Sequence, residues 1–256
     1  MRLTGFAFVL VLLLLALAAW NLVSTTGLLS SPRPEPGCEN ALSCGAIVYR
    51  NAPERVRVLG LINKIKSQTD MLQLDNEAYQ IFMGVQRTTK IKGAVAEVGV
   101  YKGGSAKLIC EAKGSKPLYL FDTFLGTPEV KKIDERPSAV VFAASLRELQ
   151  TASLEEAQAN LRDCQDVYFY KGWFPHSADD RVKNAKFSFV HLDVDGYEST
   201  LQSLQFFYSR LTRGGIIISH DYIWIPGVRK AVDEFFRDKP EPVLELSGTQ
   251  CLIVKL

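Results

Sequence analysis

The chain has almost no charge bias: 30 lysines and arginines face 28 aspartates and glutamates, a formal net charge of +2 over 256 residues. No block of like charge stands out, so nothing electrostatic points to a nucleic-acid partner, and none is expected. Internal repeats and low-complexity tracts are absent, which excludes a repeat array and leaves the composition of an ordinary globular protein. Cysteine is scarce. Five residues, an odd number, do not make a disulfide framework, and no spacing among them resembles a zinc site. Cys110, Cys164 and Cys251 fall in segments that read as core or buried edges. Cys38 and Cys44 flank a short loop and are able to pair where the surroundings are oxidising.

Charge is missing altogether between Arg2 and Arg33, and Phe6–Trp20 is an unbroken apolar run. With Leu22 and Val23 the run approaches the length of a membrane-spanning helix, about 17–25 residues. Ala16-Leu17-Ala18 also resembles a signal-peptide cleavage site, and a buried helix is the third reading. Residues 1–23 are therefore expected to be a membrane anchor or a signal segment. Arg2 and Arg33 nearly balance across the span, so orientation is poorly specified.

Residues 24–52, rich in Ser, Thr, Pro and Gly, read as a linker. Over 53–90 apolar positions recur at helical spacing (Val56, Leu59, Ile62, Ile65, then Tyr79, Phe82, Met83), which predicts two or three helices. From residue 91 to 256 the pattern becomes strands alternating with helices. The strand candidates are Ala94–Val98, Leu118–Phe121, Val167–Tyr170, Phe187–Asp193 and Gly215–Ser219, and βαβ units on a buried parallel sheet follow. Val243–Leu246 and Cys251–Val254 read as a closing hairpin. Ser153-Leu-Glu-Glu156 is a capping box that starts one helix, and Pro226 starts another whose Val228, Ala231, Val232, Phe235 and Phe236 share a face. The fold class is α/β: a Rossmann-like seven-stranded sheet with flanking helices and a helical N-terminal extension.

The chemistry gathers at strand ends. Glu97-Val-Gly99-Val-Tyr101-Lys-Gly103-Gly104-Ser105 places an acidic residue and Gly99 after the first strand and two glycines at the start of a helix. Glycines let a backbone approach a ligand closely, and a helix N-terminus is electropositive. The spacing is not the GxGxxG of NAD enzymes. A carboxylate beside the loop would repel a pyrophosphate but suits the ammonium of a methionyl group. Asp122, followed by Thr123, ends the second strand 25 residues after Glu97, near the spacing at which an acidic residue binds ribose hydroxyls. The fourth strand runs into Asp193-Val-Asp195-Gly-Tyr-Glu198 and the fifth into His220-Asp221. Asp193 and Asp221 fall at neighbouring strand ends, able to share a hard cation such as magnesium. Asp195 and Glu198 read equally well as caps of the next helix. His220 has three readings: metal ligand, general base or packed histidine. His191 sits mid-strand and reads as core; His176 has a weaker case than His220.

Residues 91–238 resemble the macrocin O-methyltransferase family. The resemblance is carried by Glu97-Val-Gly99-Val-Tyr-Lys-Gly-Gly104, Phe121-Asp-Thr-Phe124, Ser153–Leu161, Lys171-Gly-Trp-Phe-Pro175, Leu192–Thr200 and Pro226–Asp233. It implies a class I methyltransferase fold that binds S-adenosylmethionine and uses Mg2+ or another divalent cation to methylate a hydroxyl on a sugar or other glycoside-like small molecule. By that resemblance Glu97, Gly99, Tyr101, Gly103, Gly104, Ser105, Asp122 and Thr123 hold the cofactor. Asp193, His220 and Asp221 hold the metal, and Asp193 and His220 are the catalytic candidates. The family usually has Asp-Asp where this chain has His220-Asp221. S-adenosylmethionine is made in the cytosol, so a domain behind a membrane anchor is expected to face the cytosol, with export after signal cleavage as the alternative. A homo-oligomer is compatible with the sequence. The segment 125–152, with Pro128, Lys131, Lys132 and Pro137, reads as a lid. Two other classes stay open: a membrane-anchored glycosyltransferase using Asp193-Val-Asp195 as a metal-binding DxD, and a non-catalytic protein that keeps the fold.

Overall fold

In the computed structural model the described residues are 52–126 and 152–256. The apolar run at 6–23, the Cys38–Cys44 loop and most of the expected lid, 127–151, lie outside them. Two helices come first, α1 (Pro53–Gln68) and α2 (Asp75–Arg87). Then strands and helices alternate: β1 (Ala94–Val98), α3 (Gly104–Ala112), β2 (Leu118–Asp122), α4 (Leu154–Asn160), β3 (Val167–Lys171), α5 (Asp180–Asn184), β4 (Phe187–Leu192), α6 (Tyr197–Tyr208), β5 (Leu211–Ser219) and α7 (Pro226–Phe236). A short β6 (Leu244–Glu245) and β7 (Cys251–Val254) close the chain.

The seven strands form one sheet in the order β3-β2-β1-β4-β5-β7-β6. β1 to β5 run parallel, and β7 lies antiparallel between β5 and β6. Strand order reverses beside β1, and in open α/β sheets ligands bind outside the carboxyl ends of the strands at such a switch point. The sheet is buried on both faces, as a parallel sheet with apolar strands must be. Val95, Leu118 and Leu120 pack on one side with α1 to α4. Ala94, Ala96, Tyr119 and Phe121 pack on the other with α5 to α7. Strand alternation sends neighbours to opposite faces, but Phe187 and Phe189 break the rule because the register slips between them. The slip puts Phe187 and Val190 on one face and Phe189 on the other.

The expected membrane anchoring finds no support in the described residues. Among the described residues no helix is long and apolar enough to cross a membrane. The helices are amphipathic: α7 buries Val228, Ala231 and Val232 and exposes Arg229 and Lys230. The cytosol-facing anchored domain and its exported alternative both rested on the run at 6–23, outside the described residues.

The cysteine reading also needs correction. Cys110 on α3 and Cys164, after α4, are disulfide-bonded with Cα atoms 6.2 Å apart, and Cys251 is buried and free. The bond closes a separation of 54 residues, and chain entropy alone gives such a cross-link about 4 kcal/mol of stabilisation. Urea unfolding with and without a thiol reductant is expected to differ by up to that amount. Coincident unfolding curves would show that the bond contributes nothing.

Candidate active site

The turn between β1 and α3 is built from backbone geometry that few residues tolerate. Gly99 and Gly103 have φ of +88° and +86°, and Tyr101 sits in the left-handed region at +52°. A Cβ on Gly99 would lie 1.7 Å from the Asp193 carbonyl oxygen, so the loop passes directly against the end of β4. Gly104 opens α3, and a Cβ there would meet the Met71 side chain at 2.6 Å. Asp122 ties the loop down: its Oδ2 accepts from the Val100 and Tyr101 N–H groups at 2.7 and 2.9 Å, and its Oδ1 accepts from Phe124 N–H at 2.8 Å.

The loop borders a cavity of about 600 Å³ whose lining includes Gly99, Tyr101, Gly104, Ser105, Asp122, Thr123, Asp193, Asp195, His220 and Asp221. Gly103 caps α3 and packs toward Leu161 and Ala157 instead. Glu97 lies beneath the loop, fully buried, with Oε1 2.8 Å from Nδ1 of the equally buried His191. Burial raises its pKa against the lowering influence of His191 and Ser105. Its partner is therefore an internal histidine, and it has no place in the cavity wall.

At the ends of β4 and β5, Asp193, His220 and Asp221 present ligand atoms that all lie within 4.8 Å of one another. His220 Nδ1 is 3.3 Å from both Asp193 Oδ1 and Asp221 Oδ2. Asp195 takes no part in this cluster, so the DxD pairing is not the one the geometry makes. Glu198 falls in the first turn of α6, where a carboxylate complements the helix dipole. His176 is exposed.

Three further residues complete the site, all remote in sequence. Gln73 Nε2 donates to Asp193 Oδ2 at 2.8 Å. Glu77 Oε2 lies 3.2 Å from His220 Nε2. Thr249 donates to Glu77 Oε1 from both its backbone N–H, at 2.7 Å, and its hydroxyl, at 2.9 Å. Burial would raise the Glu77 carboxyl, but His220, Thr249 and the Leu74 N–H outweigh it and lower it to about 2. Burial likewise opposes the shifts of Asp193, held well below the usual carboxylate range chiefly by His220, and of His220, lifted well above its ordinary value by Asp193, Asp221 and Glu77. Glu77 has one sequence signal: a carboxylate on the buried face of α2, one and two turns before Ile81 and Gly84. Trp173 and Trp224 also line the cavity while 54% and 42% exposed.

A seven-stranded sheet in this order, with a glycine loop and an acidic strand end around one cavity, is the arrangement the resemblance implied. Residues 71–248 match the model of the macrocin-O-methyltransferase (TylF) family. The chain belongs to this family. It is 30% identical over 172 residues to the 8-demethyl-8-(2,3-dimethoxy-alpha-L-rhamnosyl)-tetracenomycin-C 4'-O-methyltransferase of Streptomyces olivaceus, covering 62% of this chain and 64% of that one. It is 31% identical over 164 residues to the mycinamicin III 3''-O-methyltransferase of Micromonospora griseorubida, covering 58% and 62%. The chain thus spans about three-fifths of the length of these curated relatives. Among solved structures, the O-methyltransferase NovP superposes with a TM-score of 0.59 at 23% identity, over 71% of this chain and 80% of that one. That likeness bears on the fold of this macrocin-O-methyltransferase family member.

Proposed function

We propose that the chain is an S-adenosylmethionine-dependent O-methyltransferase acting on a hydroxyl of a sugar or other glycoside-like small molecule, with a divalent cation at Asp193, His220 and Asp221. One observation carries the reading: the glycine loop and the Asp193 cluster share one cavity and touch through the Gly99–Asp193 contact. The relatives are named as methyltransferases of a rhamnosyl tetracenomycin and of mycinamicin III, which supports a glycoside acceptor.

The cavity suits the cofactor on structural grounds. A side chain at Gly104 would collide with Met71, and the N-terminus of α3 opens beside Ser105 and Asp122. The loop of Gly99, Tyr101, Gly104 and Ser105 would hold the amino-acid part, and Asp122 and Thr123 the ribose. When bound, the cofactor supplies an intrinsically reactive methyl group.

The cation site also fits. His220 Nδ1 is buried, with one oxygen each of Asp193 and Asp221 3.3 Å from it, so one nitrogen and two oxygens converge. A bound cation would lower the pKa of an acceptor hydroxyl and orient it. The protein's own part is alignment and proton acceptance. Gln73 fixes Oδ2 of Asp193 and leaves Oδ1 facing the cavity cluster. A hydroxyl that gains a methyl group becomes strongly acidic at its remaining proton. Even a carboxylate held well below its usual range then accepts that proton.

Calorimetry with S-adenosylmethionine and with nucleotide-sugars, followed by transfer of labelled methyl to a panel of glycosides, tests the reading. Binding of S-adenosylmethionine and labelling of a hydroxyl are expected. Binding of only nucleotide-sugars would overturn it. Asp122→Ala removes the acceptor for three backbone N–H groups, and by the usual strength of hydrogen bonds to charged groups it is expected to weaken S-adenosylmethionine binding about 10–100-fold. Unchanged affinity in the same calorimeter would show that the loop holds its shape without Asp122.

A further inference from the structure

His220 follows β5 with carboxylates facing both of its ring nitrogens, and its surroundings specify more than its identity. Nε2 lies 3.2 Å from Glu77 Oε2. Glu77 is 2% exposed and already accepts from Leu74 N–H, Thr249 N–H and the Thr249 hydroxyl. An ionised carboxylate only accepts, so Nε2 carries a hydrogen toward Glu77, and Nδ1 is the nitrogen that would supply a lone pair to a bound ion. Nδ1 faces the two aspartates, 3.3 Å from an oxygen of each. A cation, which needs donors converging on a point, suits the same three atoms, all within 4.8 Å of one another. A carboxylate that holds a ligating histidine by its other nitrogen is a recurrent way to fix the tautomer and raise the ligand's basicity.

Building on the cation site proposed above, we infer that this site prefers a first-row transition-metal ion such as Mn2+, Co2+ or Zn2+ to Mg2+, and that Glu77 is the positioning residue that makes His220 a ligand. Magnesium demands hard oxygen donors, whereas imidazole nitrogen suits the later divalent ions. One nitrogen and two carboxylates would also leave a bound ion room for an acceptor oxygen.

The test uses the full chain and the metal chlorides themselves. Co2+ binding is read from its visible absorption, Mn2+ from loss of the free-ion electron paramagnetic resonance signal, and Mg2+ by competition against either. Co2+ and Mn2+ are expected to bind at least about tenfold tighter than Mg2+. In His220→Asp the preference is expected to fall by at least about tenfold, because the third donor becomes oxygen. Glu77→Gln is expected to weaken Co2+ binding about 10–100-fold, the usual effect of removing such a partner. Adding Glu77→Gln to His220→Asp should leave Mg2+ affinity unchanged, whereas a merely structural role for Glu77 would weaken both proteins alike. Mg2+ bound as tightly as Co2+ overturns the proposal, and so does a folded chain that binds none of the three ions. S-adenosylmethionine calorimetry on the same samples separates the two readings: cofactor binding without a cation sinks only the metal proposal, and cation binding without the cofactor sinks only the methyltransferase reading.

Discussion

Asp193→Asn is expected to lower kcat for methyl transfer about 10²–10⁴-fold, the range for losing a positioned proton acceptor. The substitution keeps the shape of the side chain beside Gln73, so S-adenosylmethionine affinity should change by no more than about threefold, the pattern of an interaction made mainly in the transition state. Single-turnover rates together with cofactor calorimetry measure both quantities. A kcat within tenfold of the parent would remove Asp193 from the chemistry. A parallel loss of cofactor binding would mean that the residue acts on the architecture of the cavity instead. The two outcomes are distinct because Asp193 and the cofactor loop meet through the Asp193 carbonyl, not its carboxylate.

That backbone contact underlies the second large effect. Gly99→Ala introduces a Cβ 1.7 Å from the Asp193 oxygen at a φ of +88°. Left-handed strain and overpacking against backbone together are expected to cost about 3–5 kcal/mol. A carbonyl at the end of a buried strand cannot swing aside as a flexible side chain does. Urea midpoints, with Gly60→Ala as the control, give the comparison. Gly60 is on α1, and a Cβ there would meet nothing within 4 Å, so alanine should stabilise by about 0.5–1 kcal/mol. Equal midpoints for the two variants would show that β1 and β4 separate easily, contrary to their continuous pairing from Val95 to Val98.

Much of the fold could be read in the sequence because parallel strands are short apolar runs bounded by turns. Ala94–Val98 and Cys251–Val254 match the expected limits. β5 begins at Leu211, four residues before the expected Gly215, because Thr212-Arg-Gly-Gly215 looks like a turn. Gly214, at φ +79°, lies inside the strand. The local motifs were equally legible, and nine of the predicted site residues line the cavity, among them Gly99, Asp122, Asp193 and His220. Glu97 stands apart from those nine: a carboxylate next to a glycine loop reads as facing the ligand, and strand alternation turns it toward His191. Gln73 and Thr249 were invisible for a different reason. Gln73 reaches Asp193 across 120 residues and Thr249 reaches Glu77 across 172, distances that local patterns do not encode. The Cys110–Cys164 bond, between α3 and the approach to β3, escaped for the same cause.

The Glu77–Thr249 contact has a consequence in time as well as in space. Its partners are 172 residues apart, so the loop it closes is nearly the whole of the described chain. Contacts of such long range form only after the intervening sheet has collapsed, because the closure entropy must first be offset by other interactions. The orientation of His220 is thus acquired at the end of folding, and any ion that needs that orientation recognises the finished protein and not its precursors. Such a ligand raises the population of the completed state by mass action.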